Sequence, residues 1–389
     1  MGSLHPYIAV LAVGLAIFTI SIIEIIYSPK LPDDRSNSID GLRGYLAFFV
    51  FLNHSSVWYV YLKTGVWQAP KSRLYDYFGS GSVILFFMIT SFLFFSKILD
   101  SSKKPIDWTR LYISRICRIG PLYYFAIGIV FLIVIVLSSG SINERLNILT
   151  MRIIMALSLG AFALPDINNI KNTYIIMSGV LWTLSYEWFF YCLLPLIALL
   201  NGKLIPKKIL IYPLLSLIFI FVVKPNVYIL LPFIGGMIAA LLSRSRKIKQ
   251  VSNHILSSIL ILALLTICYL YLPEIVEPLP IFMLAMIFTL IASGNTLFSI
   301  LNNKTSRLLG EISYSVYLLH GIILFVIFNF CIGTIKIQSF TLDQYSLIIL
   351  SIVPLLIIIS YITNLRIEKP GIKKTDRITN WYKRTFHKN

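Results

Sequence analysis

Long apolar runs follow one another along almost the whole chain, with only short polar loops between them. The 389 residues are 57% hydrophobic and 13% charged, and their mean hydropathy is +0.82. Because about 20 apolar residues in a helix cross a bilayer core, this pattern predicts an all-α polytopic membrane protein. The predicted crossings are 8–27, 44–62, 81–98, 119–138, 179–200, 209–223, 227–242, 254–272, 279–293, 310–332 and 345–363.

Basic residues in the loops predict the orientation of these crossings. The loops assigned to the cytoplasm carry Lys97, Lys103, Lys104, Arg110, Arg115 and Arg118, then Lys203, Lys207 and Lys208, then Arg244, Arg246, Lys247 and Lys249, then Lys304 and Arg307, and then the basic residues after Thr363. The path between the first two loops must cross an even number of times, so the further apolar run 149–164 is predicted to be interfacial or re-entrant. We therefore expect about 11 transmembrane helices, an outside N-terminus and a cytoplasmic C-terminus.

The formal net charge of +18 does not point to a nucleic-acid partner. The lysines and arginines lie in loops between crossings, where they orient helices and meet anionic lipid headgroups. No basic soluble module is present that would bind nucleic acid. The four cysteines stand singly along the chain and lack metal-ligand spacing, so no metal site is predicted.

The segment from Asp40 to His54 places an imidazole inside an apolar helix. At 1.5 Å per residue from Gly44, His54 lies about 15 Å deep, near the middle of a hydrocarbon core of roughly 30 Å. Arg43 lies almost three helical turns earlier on the same face. Ionisable groups at such depth usually serve function, so His54 is predicted to be a catalytic base.

Arg115 and Arg118 open another crossing on its cytoplasmic side and lie at i and i+3 on one helix face. Paired guanidinium groups suit bidentate binding of phosphate. Two arginines at this position are equally typical of a positive-inside anchor. The spacing leaves both interpretations open.

Two further polar positions are candidates for the site. Glu187 lies near the outer end of its predicted helix, where it could orient a histidine or polarise a hydroxyl substrate, or belong to an interfacial aromatic belt. Ser313, Tyr317 and His320 lie on one stripe of a later helix, and His320 is again about 15 Å deep. A second histidine at the midplane indicates a shared polar interior, although polar contact between helices is an alternative.

Taken together, these segments resemble the acyltransferase 3 family of integral membrane acyltransferases, from Asp40 to about His320. The resemblance rests on five motifs in the family's order: Arg43 to His54 for Arg-x10-His, Phe86 to Leu93 for Phe-Phe-x-x-Ser-Gly-Phe-Leu, Arg115 and Arg118 for Arg-x-x-Arg, Trp182 to Glu187 for Trp-Ser-Leu-x-x-Glu, and Leu309 to His320 for Gly-x-Ser-Tyr-x-x-Tyr-Leu-x-His.

The chain departs from the family pattern at three places. Ser91 stands where glycine is usual, and Trp188-Phe189 stands where Glu-Gln is frequent, which leaves Glu187 as the carboxylate of its motif. The family core usually has ten crossings and begins with the Arg-x10-His helix. The resemblance therefore implies an added helix and loop in residues 1–35, an acyltransferase domain in 36–365 and a basic cytoplasmic tail in 366–389.

The resemblance implies transfer of an acetyl group from acetyl-CoA to a hydroxyl of a glycan at the bacterial cytoplasmic membrane. Arg43, Arg115 and Arg118 would then bind the acyl-CoA. His54 would be catalytic, either by accepting a proton from the attacking hydroxyl or by carrying the acetyl group itself, and the sequence leaves both open. Glu187 and His320 would position the acceptor or balance charge. The expected acceptor is a lipid-linked glycan such as the O-antigen of lipopolysaccharide, and macrolide-like small molecules and peptidoglycan are the alternatives.

Two alternatives belong to other functional classes. The midplane histidines could form a proton relay in a glycolipid or small-anion transporter or flippase. The chain could also be a non-catalytic partner of a polysaccharide synthase. Turnover of acetyl-CoA by the purified protein would separate the enzyme from both.

Overall fold

The computed structural model describes residues 3–29, 37–101, 105–223 and 225–386. Within these ranges the chain forms helices and turns, and the only pairing of extended backbone is an isolated bridge between Ile167 and Ile170. The predicted all-α class is therefore confirmed. Lys103 and Lys104 of the first cytoplasmic loop, and the predicted boundary between residues 35 and 36, lie outside the described residues.

The helices are numbered in chain order. They are α1 Pro6–Tyr27, α2 Asn37–Thr64, α3 Arg73–Asp76, α4 Ser82–Asp100, α5 Trp108–Leu137, α6 Leu146–Ala156, α7 Trp182–Leu200, α8 Ile211–Val223, α9 Val227–Leu242, α10 Arg246–Ser252, α11 Ile255–Tyr271, α12 Pro278–Ala292, α13 Lys304–Glu311, α14 Ser313–Val326, α15 Thr334–Gln338, α16 Leu342–Thr363, α17 Lys369–Lys373 and α18 Thr375–Phe386. Turns of π-helix occupy Tyr77–Gly81, Ile327–Ile332 and Asn364–Glu368, and 3-10 turns occupy Thr173–Met177 and Lys207–Leu210.

The described helices agree with the prediction of a multi-pass membrane protein. Among the described residues, six helical stretches are long and apolar enough to cross a bilayer: Pro6–Tyr27, Arg73–Asp100, Trp108–Leu137, Trp182–Leu200, Ser313–Ile332 and Leu342–Phe386. A seventh is possible if α9 and α10, which meet at a bend of 105°, form one span. The chain is thus a multi-pass membrane protein by length and composition, whereas the predicted number of eleven crossings is not confirmed.

The remaining predicted crossings fall on helices that are short or polar. The helices α11 and α12 are apolar but have 17 and 15 residues. With 28 residues, α2 is long enough, but Asn53, His54 and two serines interrupt its apolar sequence. In the run 149–164, helix α6 has 11 residues, or about 16 Å, which is too short to cross alone.

The helix α2 lies at the centre of the bundle and packs against α4, α12, α13 and α14. Its contact with α13 depends on glycines. A Cβ atom on Gly44 would lie 2.7 Å from the backbone N of Gly310, and one on Gly310 would lie 1.9 Å from the carbonyl O of Asp40. Small residues allow helices in a membrane to approach this closely, so the glycines of two sequence motifs form one contact.

We expect Gly310→Ala to destabilise the protein by about 1–3 kcal/mol, because the added methyl group overlaps the backbone of α2. The measurement is the thermal unfolding midpoint of the purified protein in detergent. Gly14→Ala is the matched control, since a Cβ at Gly14 has nothing within 4 Å. Equal midpoints for the two variants would show that the contact has no such role.

Candidate active site

Two histidines meet in the interior of the bundle. His54 Nδ1 on α2 lies 2.9 Å from His320 Nε2 on α14, and the two rings stack with their centroids 5.1 Å apart. The local geometry follows from the glycine contact. His54 is ten residues after Gly44 and His320 is ten residues after Gly310. The two glycines are in contact, and helical residues connect each glycine to its histidine. The same rise along both segments therefore brings the two imidazoles to the same level.

The hydrogen bonds of the pair determine which ring nitrogens carry protons. His320 Nδ1 lies 3.0 Å from the carbonyl O of Val316, which can only accept, so Nδ1 of His320 carries a proton. In neutral His320, Nε2 is then an acceptor, and Nδ1 of His54 donates to it. The remaining nitrogen of His54, Nε2, keeps its lone pair. A histidine oriented in this way is prepared to accept a proton.

The two rings differ in their surroundings. His320 is fully buried, whereas His54 is half-buried. The indole of Trp67, on the loop after α2, stacks on His54 with ring centroids 6.4 Å apart. Asn53 does not belong to the site, although it precedes His54, because its amide donates to the carbonyl O of Tyr75 at 2.7 Å. His54, rather than Asn53, therefore belongs to the site.

A cavity of about 410 Å³ contains the arginines predicted from the sequence. Arg43, Arg115 and Arg118 all line it. The guanidinium of Arg115 lies over the ring of Phe94, 5.0 Å from its centroid, and its Nε is buried without a hydrogen-bond partner. Such a charge is costly to bury unless an anion compensates it. The arrangement favours an anionic ligand over a simple membrane anchor.

Glu187 lies in the second turn of α7 and lines the same cavity as the arginines. Its Oε2 accepts a hydrogen bond of 2.8 Å from the hydroxyl of Tyr191. The sequence places this part of α7 near the outer end of a crossing, and that placement stays a prediction. The preceding turn enters the bundle interior, where the backbone of Met177 packs against Gly321 of α14. The helix therefore starts inside the bundle, and Glu187 lies among the arginines.

A pair of hydroxyl groups connects this cavity with the histidines. Tyr317 and Thr183 line the cavity, and their hydroxyl oxygens are 2.8 Å apart. Tyr317 precedes His320 by about one helical turn, and its ring meets the imidazole edge to face at a centroid distance of 6.3 Å. The inner end of the arginine-lined cavity is thus next to the histidine pair.

Sequence reasoning missed a second buried carboxylate, Glu368, in the π-helical turn after α16. Glu368 is 1% exposed, and its Oε1 accepts a hydrogen bond from the hydroxyl of Ser315, which in turn accepts one of 3.0 Å from Thr363. The positive charges that act on Glu368 are those of Arg118 and Arg43. The basic residues around it made this segment resemble a solvated tail. No pattern in the sequence distinguishes Glu368 from its solvated neighbours.

The arrangement suits proton transfer next to a bound anion. The guanidinium groups and the hydroxyls of Tyr317 and Thr183 line one cavity, and the ring of Tyr317 joins that cavity to the histidine pair. In the part of the chain that the structure describes, no three His, Cys, Asp or Glu side chains are grouped so that they could hold a metal ion. The chemistry that these residues themselves provide is general acid–base catalysis.

Comparison with known proteins agrees with this chemistry. The family model described as an acyltransferase domain, Acyl_transf_3, matches residues 36–365, which is most of the chain. No curated protein and no solved structure matches the chain. Because the family match covers both histidines and all three cavity arginines, this chain belongs to the acyltransferase 3 family and is a membrane acyltransferase.

Proposed function

We propose that this acyltransferase moves an acetyl group from cytoplasmic acetyl-CoA to a hydroxyl of a lipid-linked surface glycan, such as the O-antigen of lipopolysaccharide, at the bacterial cytoplasmic membrane. The observation that carries the proposal is that Tyr317, which lines the arginine cavity, contacts the ring of His320, so that a path from the arginines to the pair of His54 and His320 passes this tyrosine. A donor with phosphates at one end and a thioester at the other matches this path.

The donor end of the path is cationic and its middle is aromatic. Arg43, Arg115 and Arg118 would bind the phosphates of CoA by charge-assisted hydrogen bonds. Phe86 and Phe94, which also line the cavity, offer apolar contacts to the pantetheine arm. The carboxyl groups of Glu187 and Glu368 interact with the charges of these arginines. The thioester would then reach the level of the histidines.

The proposed reaction is direct transfer with His54 as general base. Nε2 of His54 takes the proton of the acceptor hydroxyl while the acceptor oxygen attacks the thioester carbonyl carbon. The hydroxyl of Tyr317 donates a hydrogen bond to the carbonyl oxygen as it gains negative charge. The carbon–sulfur bond then breaks, and the CoA thiolate takes the proton from His54, which regenerates the neutral pair. His320 holds His54 in the required tautomer throughout.

The charges of the loops support the proposed sidedness. With the C-terminus in the cytoplasm and the N-terminus outside, the donor would enter through the arginine cavity from the inner face. The acceptor would then approach His54 from the opposite side, past Trp67. The half-buried state of His54 is compatible with access from that side. In this arrangement acetyl-CoA never leaves the cytoplasm.

We expect His54→Ala to lower acetyl transfer by about a hundredfold or more, because it removes the proton acceptor. The measurement is release of free CoA thiol from acetyl-CoA by purified protein in the presence of glycan acceptor. His254→Ala, at an exposed histidine, is the control and should retain the parental rate. Full activity in a folded His54→Ala protein would refute the assignment.

Arg115→Ala and Arg118→Ala should each raise the KM for acetyl-CoA by about tenfold, since each removes a charge-assisted contact to phosphate. Donor without the 3′-phosphate should then lose less affinity in these variants than in the parent. Arg246→Ala, at an exposed arginine in the first turn of α10, is the control. If Arg115→Ala and Arg118→Ala discriminate against the dephosphorylated donor as strongly as the parent and the control do, these two arginines are a membrane anchor.

Tyr317→Phe should lower kcat by about a hundredfold and leave the KM for acetyl-CoA unchanged, because the hydroxyl acts only on the charge that develops during transfer. Tyr123→Phe is the control, at a tyrosine whose hydroxyl also makes a hydrogen bond inside the protein. The Tyr123 hydroxyl donates to the carbonyl O of Ala156 at 2.7 Å, away from the cavity, so kcat should be retained. An unchanged kcat in Tyr317→Phe would exclude the proposed role.

A further inference from the structure

The C-terminal helix α18 presents its small polar side chains to the rest of the protein. Thr375 and Thr379 are buried, and Lys383, one turn further, donates to the carboxylate of Asp107 at 2.5 Å. Arg110 binds Asp376 at 2.7 Å. These contacts hold α18 against the first turn of α5, a helix long and apolar enough to cross the membrane.

The ion pair with Asp107 belongs to this attachment. Partial burial by itself raises the pKa of the Asp107 carboxyl, but the hydrogen bonds from Lys383 and from the backbone N–H of Arg110 outweigh that effect, and the pKa lies below its ordinary value. Asp107 therefore stays ionised at neutral pH. Because its side chain is also the N-cap of α5, the attachment lies at the end of that helix.

The apolar side chains of α18 are exposed. Ile378, Trp381 and Tyr382 are 37%, 60% and 39% exposed, and they lie at i, i+3 and i+4 on one face. A helix that packs against the core of a soluble protein covers its apolar face, whereas α18 leaves its apolar face exposed. An exposed aromatic face on a helix fixed at the end of a transmembrane span needs an apolar environment.

The third face of α18 is basic and polar. Arg377, Asn380 and Arg384 are exposed on it, and Lys373 and Lys374 are exposed directly before the helix. The one acidic residue of α18 is Asp376, which is paired with Arg110. The helix thus has one face toward the protein, one apolar face and one cationic face. Tryptophan and tyrosine next to arginine are typical of side chains at the headgroup level of a membrane.

We propose that α18 is an interfacial anchor whose Ile378, Trp381 and Tyr382 enter the adjacent leaflet and whose basic residues bind the headgroups of anionic phospholipids. The choice of lipid over a protein partner rests on the position of the helix beside α5 and on the excess of positive charge next to the apolar face. The inference does not depend on the proposed reaction or its substrates.

The accessibility of attached spin labels tests whether the apolar face of α18 enters the membrane. In a cysteine-free background, a nitroxide is attached to Ile378→Cys or, separately, to Tyr382→Cys, and Asn380→Cys on the cationic face is the matched control. The full-length protein is placed in nanodiscs of phosphatidylcholine mixed with phosphatidylglycerol. Labels at 378 and 382 should collide more with oxygen than with a water-soluble nickel complex, and the label at 380 should show the reverse.

The dependence on lipid charge is the second measurement. Nanodiscs of phosphatidylcholine alone should reduce the difference between positions 378 and 380, and Arg377→Gln with Arg384→Gln should remove most of the effect of phosphatidylglycerol. Equal exposure of 378, 380 and 382 to the nickel complex would overturn the proposal. Protection of 378 and 382 from both reagents would also overturn it, because it would indicate a protein partner or a second copy of the chain.

Discussion

The close contact between Gly44 of α2 and Gly310 of α13 positions the rest of the candidate site. Gly44 and Gly310 allow two backbones to approach to a distance that no other side chain permits. From this contact, ten residues of α2 lead to His54, and ten residues of α13 and α14 lead in the same direction to His320. The hydrogen bond between His54 and His320 is therefore a consequence of backbone packing at a point about 15 Å away.

Buried charge is the second constraint on the bundle. Three arginines face one cavity, and each would be costly in a membrane interior without compensation. The protein provides partial compensation with Glu187, Glu368 and the ring of Phe94. The compensation is incomplete, since Nε of Arg115 remains without a partner. An anionic ligand in the cavity would supply the missing partner.

Several parts of the site could be predicted from the sequence because they depend on spacing along one helix. Arg43 and His54 on a common face, Tyr317 and His320 on one stripe and the pairing of Arg115 with Arg118 follow from the pitch of an α-helix. The position of Glu187 could not be predicted in this way. Hydropathy shows where an apolar run begins along the chain, but the run before α7 begins inside the bundle, where Met177 meets Gly321.

The sequence by itself determined that this is a helical membrane protein, that an imidazole and a guanidinium share one helix, and that its motifs are those of an acyltransferase family. The tertiary structure decided which nitrogen of His54 is free, because that depends on the contact with His320 and on the carbonyl of Val316. It also brought Glu368 from the C-terminal segment to the arginines. These features arise from contacts between residues far apart in sequence, which helical periodicity does not encode.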